Sequence, residues 1–340
     1  MSKSIENSAG VPRRESIQTA GSARLSGHRW TAALLEQGPL ISLVLLCAVM
    51  SAVTPSFLSV RNLVNVLDQI TVLGIMALGM TAVIVIGGID LSVGSVLALG
   101  MMAVGWLSNR VGMPLAAAIP LGIAVCALCG LASGLLIVLV RLPAFIATLA
   151  MMSAARGLAN IITDGEQIVG YPDWFTSLSI VRHFGFLSAT VALFIVLVIV
   201  GFVVLKYRVA GRSLYAIGGS AEVARLAGIK VRTITVAVYA LCGALAGVAA
   251  VVLASRLDSS QPSAGTGYEL DTIAAVVIGG ASLAGGVGSI AGTVVGVLTI
   301  GVLRNGLNLI GVSPFVQQVV IGGVIVLAVG ADTLRRRNAG

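Results

Sequence analysis

Apolar runs long enough to cross a membrane alternate with short polar breaks along most of this chain. Ten runs stand out, at 38–54, 64–88, 91–109, 113–140, 143–163, 187–205, 234–255, 271–285, 288–306 and 314–331. A helix that crosses a bilayer needs about 20 mostly apolar residues, so the pattern predicts ten spanning helices. Two runs fit less well. The run 271–285 is short, and 143–163 opens on Pro143 and contains Arg156. Each reads equally as a broken or re-entrant helix, which a membrane tolerates only where bare backbone faces protein or water.

One polar island interrupts the series, KYRVAGRSLYAIGGSAEVARLAGIKVRT from Lys206 to Thr233. It holds six basic residues (Lys206, Arg208, Arg212, Arg225, Lys230, Arg232) and a single acid, Glu222. A short amphipathic helix is predicted from Ser220 to Ala227, with Ser220 as its N-cap and Glu222 in the first turn, where the helix dipole favours an acid. Gly228 supplies the stop. Val223, Leu226 and Ala227 share one face, a stripe too small to anchor a domain but wide enough to enter a partner's groove. Two readings stand here: a docking helix for a separate protein, or a solvated connecting loop.

Composition agrees with the pattern. Hydrophobic residues make up 57% of the chain and charged residues 10%, with a mean hydropathy of +1.05. A soluble domain carries about a quarter charged residues. The fold class is therefore an all-α polytopic membrane protein embedded in the lipid bilayer. The net charge of +8 then reads as orientation charge, because cytoplasmic loops accumulate Lys and Arg. No basic patch interleaved with aromatics for base stacking is present, so nucleic acid is not expected as a partner.

Ten spans place both termini on one side. With the N-terminal tail inside, fifteen Lys and Arg lie on inner segments, whereas only Arg61, Arg110, Arg182 and Arg256 lie on outer ones. That bias predicts cytoplasmic termini and a cytoplasmic 206–233 loop. The domain reading is a disordered cytoplasmic tail over 1–34, a transmembrane domain over 35–332 and a cytoplasmic tail over 333–340. The tail is too long and too charged before its first apolar run to be a cleavable signal.

Few residues invite catalytic chemistry. Cys126 and Cys129 form a CxxC inside an apolar run with no basic neighbour, which reads as small residues at a helix contact rather than a redox pair. His28 and His183 are isolated, so neither a metal site nor a nucleophile–base pair can be built on them. No phosphate-binding GxxxxGK[ST] loop occurs, so the chain does not hydrolyse nucleotide itself. The GxGxxA of Gly286 to Ala291 follows a helical run rather than a strand and reads as a tight turn. No cofactor is implied. Gly130 with Gly134, and Gly292 with Gly296, form GxxxG pairs that let helices approach closely.

Two polar stretches remain as candidate sites. In GGIDLSVGS, Gly87 to Ser95, Asp90 is positioned to cap a helix starting at Leu91. The same Asp90, with Ser92 and Ser95, also reads as the inner mouth of a path, since ionisable groups near the membrane are functional by default. Thr148, Asn160, Asn305 and Asn308 are the other polar groups in the spans that a path has available. The loop RLDSSQPSAGTGYELD, from Arg256 to Asp271, offers Gln261, Tyr268, Glu269 and Asp271, a set suited to a sugar's hydroxyls and ring face. It reads equally as an ordinary Gly/Pro/Ser turn.

Together GGIDLSVGS, QPSAGTGYELDTIAAVVIGG, SLAGGVGS and NGLNLIGVS resemble the membrane permeases of bacterial ribose-type carbohydrate ABC importers, over about Leu35 to Asp332. The resemblance implies a homodimeric pore, a cytoplasmic ATPase carrying two nucleotide-binding cassettes and a periplasmic sugar-binding protein. It also implies an EAA…G coupling helix, which this chain matches at Glu222, Ala224 and Gly228, with Arg225 and Leu226 between them. The I-x-LP ending of many importers is absent after Gly228. The rival class is a secondary transporter, which carries its coupling charges as partnered intramembrane groups. Asp68, Asp90, Arg156 and Arg304 are the only intramembrane candidates, and none has an evident partner at helical spacing.

Overall fold

The computed structural model describes residues 38–337 of the chain. The expected tail over 1–34 and the last three residues lie outside them. Each of the ten apolar runs contains a helix. In order these are α1 (Gly38–Val53), α2 (Val60–Val85), α3 (Val93–Asn109), α4 (Leu115–Leu135), α5 (Ala144–Ile161), α7 (Ala189–Tyr207), α10 (Val231–Leu257), α11 (Tyr268–Ile278), α12 (Ile290–Leu309) and α13 (Pro314–Arg337), with α6 (Asp173–Ile180), α8 (Val209–Gly219) and α9 (Ala221–Leu226) in the connections. Helix α4 ends in a π-turn over Leu136–Val140. A long-range antiparallel pair of two-residue strands, β1 (Ile168–Val169) against β2 (Ser259–Ser260), is the one sheet among the described residues. The protein is an all-α polytopic membrane protein.

Six of these helices are long and apolar enough to cross a membrane: α2, α4 with its π-turn, α5, α7, α10 and α12. Helices α2, α10 and α12 form the centre and α4, α5 and α7 the periphery. Helix α2 carries polar residues up to Gln69, but from Ile70 to Val85 it is almost wholly apolar and buried without a break, as an enclosed helix is. Its start is fixed by Ser59, whose side chain accepts from the Asn62 N–H. Its end is fixed where Gly87 turns into positive φ.

The bundle is held by small residues rather than large ones. Helices α4 and α10 run antiparallel in direct backbone contact. A Cβ at Gly130 would strike the Tyr239 carbonyl, and one at Gly243 the Cys126 carbonyl. Gly130 and Gly243 therefore meet across the seam, with Gly134 against Val236 on one side of them and Gly247 against Ile123 on the other. Likewise Gly296 faces Ala275 and Gly292 faces Gly279 across α12 and α11. Without a hydrophobic driving force between helices in lipid, such close packing is the main attraction available.

Of the two irregular runs, 143–163 holds an unbroken helix, α5. Helix α11 has 11 residues, or about 16 Å, half of the roughly 30 Å hydrocarbon core. It does not cross alone. The loop before it folds back into the bundle beside α3: Ser260 Oγ donates to the Met101 carbonyl, and Gly265 lies against Gly94. Seven residues of α3 separate those contacts, so the loop descends about 10 Å. Arg156 on α5 meets it there, donating to the carbonyls of Pro262 and Ala264.

Candidate functional site

Three places gather the polar groups. The first is the basic end of the bundle, where α8 and α9 join α7 to α10. Helix α9 starts at Ser220, whose side chain accepts from the Val223 N–H at 3.3 Å, and closes at Gly228 with φ +83°. Arg225 donates to Glu222 at 2.6 Å on the exposed face. Those hydrogen bonds hold the Glu222 carboxyl below its ordinary range. Ala224 is buried, whereas Val223 and Leu226 are 64% and 74% exposed. An apolar pair set out in water at a helix tip is what a partner's groove accepts.

Helix α8, which local pattern did not reveal, ties this tip to the bundle. The Tyr215 hydroxyl donates to the Gly288 carbonyl at 2.7 Å. Gly218 lies directly on Val85 and Gly286, and the Gly286 N–H donates to the Val85 carbonyl. The turn at 285–288 joins α11 to α12, so α9, α8 and the α11–α12 pair are in continuous contact.

The second place is the turn from Gly87 to Ser92. Helix α3 begins at Val93, two residues later than predicted, because Asp90 captures both the backbone N–H and the Oγ–H of Ser92, at 2.8 and 2.6 Å. The Tyr239 hydroxyl and Thr148 both donate to the Ile89 carbonyl. Asp90, Ser92, Ser95 and Thr148 are 0–3% exposed. Asp90, Ser92 and Ser95, expected at the inner mouth of a path, and Thr148, expected along it, are all enclosed by protein in this conformation, around an irregular turn inside the bundle.

The third place is at the other end. A chamber of about 330 Å³ opens between α2, α10, α11, α12 and α13, lined by Gln69, Arg256, Gln261, Tyr268, Asp271, Arg304, Asn308 and Gln317 among others. Asp271, 3% exposed, forms an ion pair with Arg304 across α11 and α12. A second cavity of about 390 Å³ lies beyond that pair, between α11 and α13, and includes Thr266, Glu269 and Gln318. The pair is common to both cavities.

The family model described as "branched-chain amino acid transport system / permease component" matches residues 62–329. The chain belongs to that permease family. It is 44% identical to the ribose import permease protein RbsC of Escherichia coli K12, over 94% of this chain and 99% of the relative. It is 46% identical to the Bacillus subtilis ribose import permease, over 89% and 93%, and 35% identical to an L-arabinose ABC transporter permease of Azospirillum brasilense, over 93% and 92%. No solved structure matches the chain.

The remaining predicted groups are distributed through the permease. Asn305 exchanges two 2.9 Å hydrogen bonds with Asn62, pinning α12 to α2. Asn160 is exposed and donates to the Arg156 carbonyl. Asn308 accepts from Gln317 inside the chamber. The four thiols are free, and Cys126 packs against Gly100 and Gly247 as a helix-contact residue.

Sequence spacing found no partner for the permease's intramembrane charges, and three of them have one. Asp68 is held by Arg182, Arg304 by Asp271, and Arg156 by two loop carbonyls. Those partners come from other elements, 33 to 114 residues away. Gln69, Arg256 and Gln317 also escaped the sequence reading, since nothing local marks a lone polar residue as part of a chamber.

Proposed function

We propose that this permease is the membrane-spanning subunit of an ATP-driven importer of monosaccharides, with ribose as its substrate. The observation that carries this reading is the near full-length match to ribose import permeases, with arabinose and fructose permeases among the further relatives. The protein is a multi-pass protein of the bacterial inner membrane. Hydrolysis of ATP belongs to a cytoplasmic partner with two nucleotide-binding cassettes, and a periplasmic sugar-binding protein delivers the cargo.

In this reading the basic end faces the cytoplasm, the ten helices all contribute to crossing, and both tails, 1–34 and 333–340, are cytoplasmic. Helix α11 shares its crossing with the folded-back loop before it. The 35–332 region forms the permease domain. Its coupling element is α9, where Ser220, Glu222, Ala224, Arg225, Leu226 and Gly228 meet the ATPase. The contacts of α8 with the 285–288 turn support a route from that helix to α11 and α12.

Two copies form the pore. Supporting this, Glu269, Thr266 and Gln318 open onto one face of α11 and α13. Polar groups facing lipid cost several kcal/mol, a cost removed when a second copy or a water-filled path covers that face. Gln261, Tyr268, Glu269 and Asp271 act as outer-gate contacts. Asp90, Ser92, Ser95, Thr148, Asn160, Asn305 and Asn308 remain the path's polar groups, the first four becoming accessible only when the inner turn opens. Because the walls are mostly Gly, Ala, Val and Leu, the permease alone binds its sugar at millimolar strength or weaker, and the receptor sets selectivity.

Reconstitution tests this reading. Proteoliposomes holding the permease and its ATPase should import radiolabelled ribose only with ATP inside and loaded receptor outside. Uptake driven by an ion gradient without ATP points instead to a secondary transporter. For orientation, Ser259 is unsuitable as a reporter because it is buried. Cysteine at the exposed Ser263 should label from outside intact cells, and cysteine at Ala221 only after permeabilisation.

A further inference from the structure

Resting on the import reading above, we propose that the chamber beside the Asp271–Arg304 pair is an acceptor site for one neutral monosaccharide, bound mainly by Gln69, Tyr268 and Asn308. At about 330 Å³ the chamber is at the small end of the roughly 300–1,000 Å³ range of ligand pockets. That is room for a single sugar and some water.

Its chemistry is that of polyol recognition. Four primary amides line it, Gln69, Gln261, Asn308 and Gln317, and each offers a donor and an acceptor side by side, as a ring hydroxyl does. Tyr268 adds an aromatic ring and a hydroxyl. Among the described residues, neither the Tyr268 hydroxyl nor the Gln69 amide makes a hydrogen bond, so both are available. The Nε–H of Arg304 is buried with no partner, and a buried donor of that kind calls for an occupant, ligand or water.

Charge on the lining argues against a zwitterion such as an amino acid. Asp271 is already taken by Arg304, and the third charged group, Arg256, donates to the Asp68 carbonyl, so the lining has no carboxylate left for a zwitterion's ammonium group. Hydroxyls need none. The pair also stands between this chamber and the second cavity, so a bound sugar waits behind it until α11 and α12 move. Available groups are few and scattered, which suits a site that must release its cargo.

The test places a reporter in the chamber. Leu257 lines the chamber without a polar group of its own and is exposed, and Leu257→Cys reacts with a membrane-impermeant thiol reagent in the full permease–ATPase complex, with the parent chain as background. D-ribose at ten times its dissociation constant should slow labelling about tenfold, since only the empty fraction reacts. Leucine at the same concentration should not. Adding Gln69→Leu, which keeps the volume but removes the amide, should abolish the protection.

Absence of protection up to 100 mM ribose, or equal protection by leucine, overturns the site. Uptake by the wild-type complex separates the two readings. No ribose import at all overturns the import reading and the site with it. Import together with an unprotected Leu257→Cys overturns the chamber site alone.

Discussion

Glu222 with Arg225 and Asp271 with Arg304 are the same chemical pair in opposite surroundings. The first lies three residues apart on one exposed helix, at the end where a partner is proposed to dock. The second joins two helices across 33 residues, with its carboxylate 3% exposed. Water screens the first, so it is nearly free to re-pair with another protein's charges. Protein encloses the Asp271 carboxylate of the second, though Arg304 stays partly exposed, so losing Arg304 strands a buried charge. The exposed pair is thus open to other charges, and the pair joining two helices is fixed by packing.

Breaking the enclosed pair should have the largest effect. Asp271→Ala leaves Arg304, whose side chain is 34% exposed, without its counter-charge and should cost about 1.5–3 kcal/mol, the range for a hydrogen bond to a charged group, read as lost folded protein in detergent. The double change Asp271→Leu with Arg304→Met should restore most of the Tm, because an apolar pair replaces the buried ions without stranding either. A single variant as stable as the wild type would falsify the enclosed character of this pair.

Next comes the packing that holds the pair in place. Gly296→Leu drives a side chain into the Ala275 carbonyl and should cost about 1–3 kcal/mol through overpacking. Gly157→Leu on α5 meets nothing within 4 Å and should leave the Tm unchanged. Equal thermal shifts from the two would mean that α11 and α12 are not in close register.

At the exposed end, Ser220→Ala should weaken α9 by about 1 kcal/mol through loss of its cap, visible as faster amide exchange at Val223. Arg225→Glu should leave the Tm unaltered yet abolish ATP-coupled uptake, because it reverses the charge presented to the partner. Normal uptake at wild-type expression refutes the docking assignment.

The smallest effect belongs to acidity. Glu222 is held below the ordinary carboxylate range by hydrogen bonds from Arg225, so its pairing is fully present above an unfolded pKa of about 4.3 and is lost as pH falls through the lowered value. Uptake should be flat across neutral pH on this account. A pH step near neutrality that Glu222→Gln removes would contradict it.

Much of the architecture was legible because it is written locally. Each apolar run became a helix, since a span of hydrocarbon permits almost no other backbone. Ser220 and Gly228 marked the ends of α9 because capping depends on residues three or four positions apart. Gly130 and Gly134 announced a close helix contact. What spacing missed was α8, whose amphipathic pattern is short and mixed with basic residues, and the start of α3, displaced when Asp90 spent its carboxylate on Ser92.

The chain's order of apolar and polar residues determined that this is a helical membrane protein, which end is basic, and where the short capped helix α9 stands. Those properties follow from lengths, caps and charge totals, each summed over neighbours. Tertiary structure alone decided that Asp68, Arg156 and Arg304 would be satisfied, that Asp90 would be sealed inside, and that Gln69, Tyr268 and Asn308 would share a chamber. Each of those outcomes joins elements far apart in sequence, and only the antiparallel packing of α2, α10 and α12, with backbones brought together by glycine, sets which side chains meet.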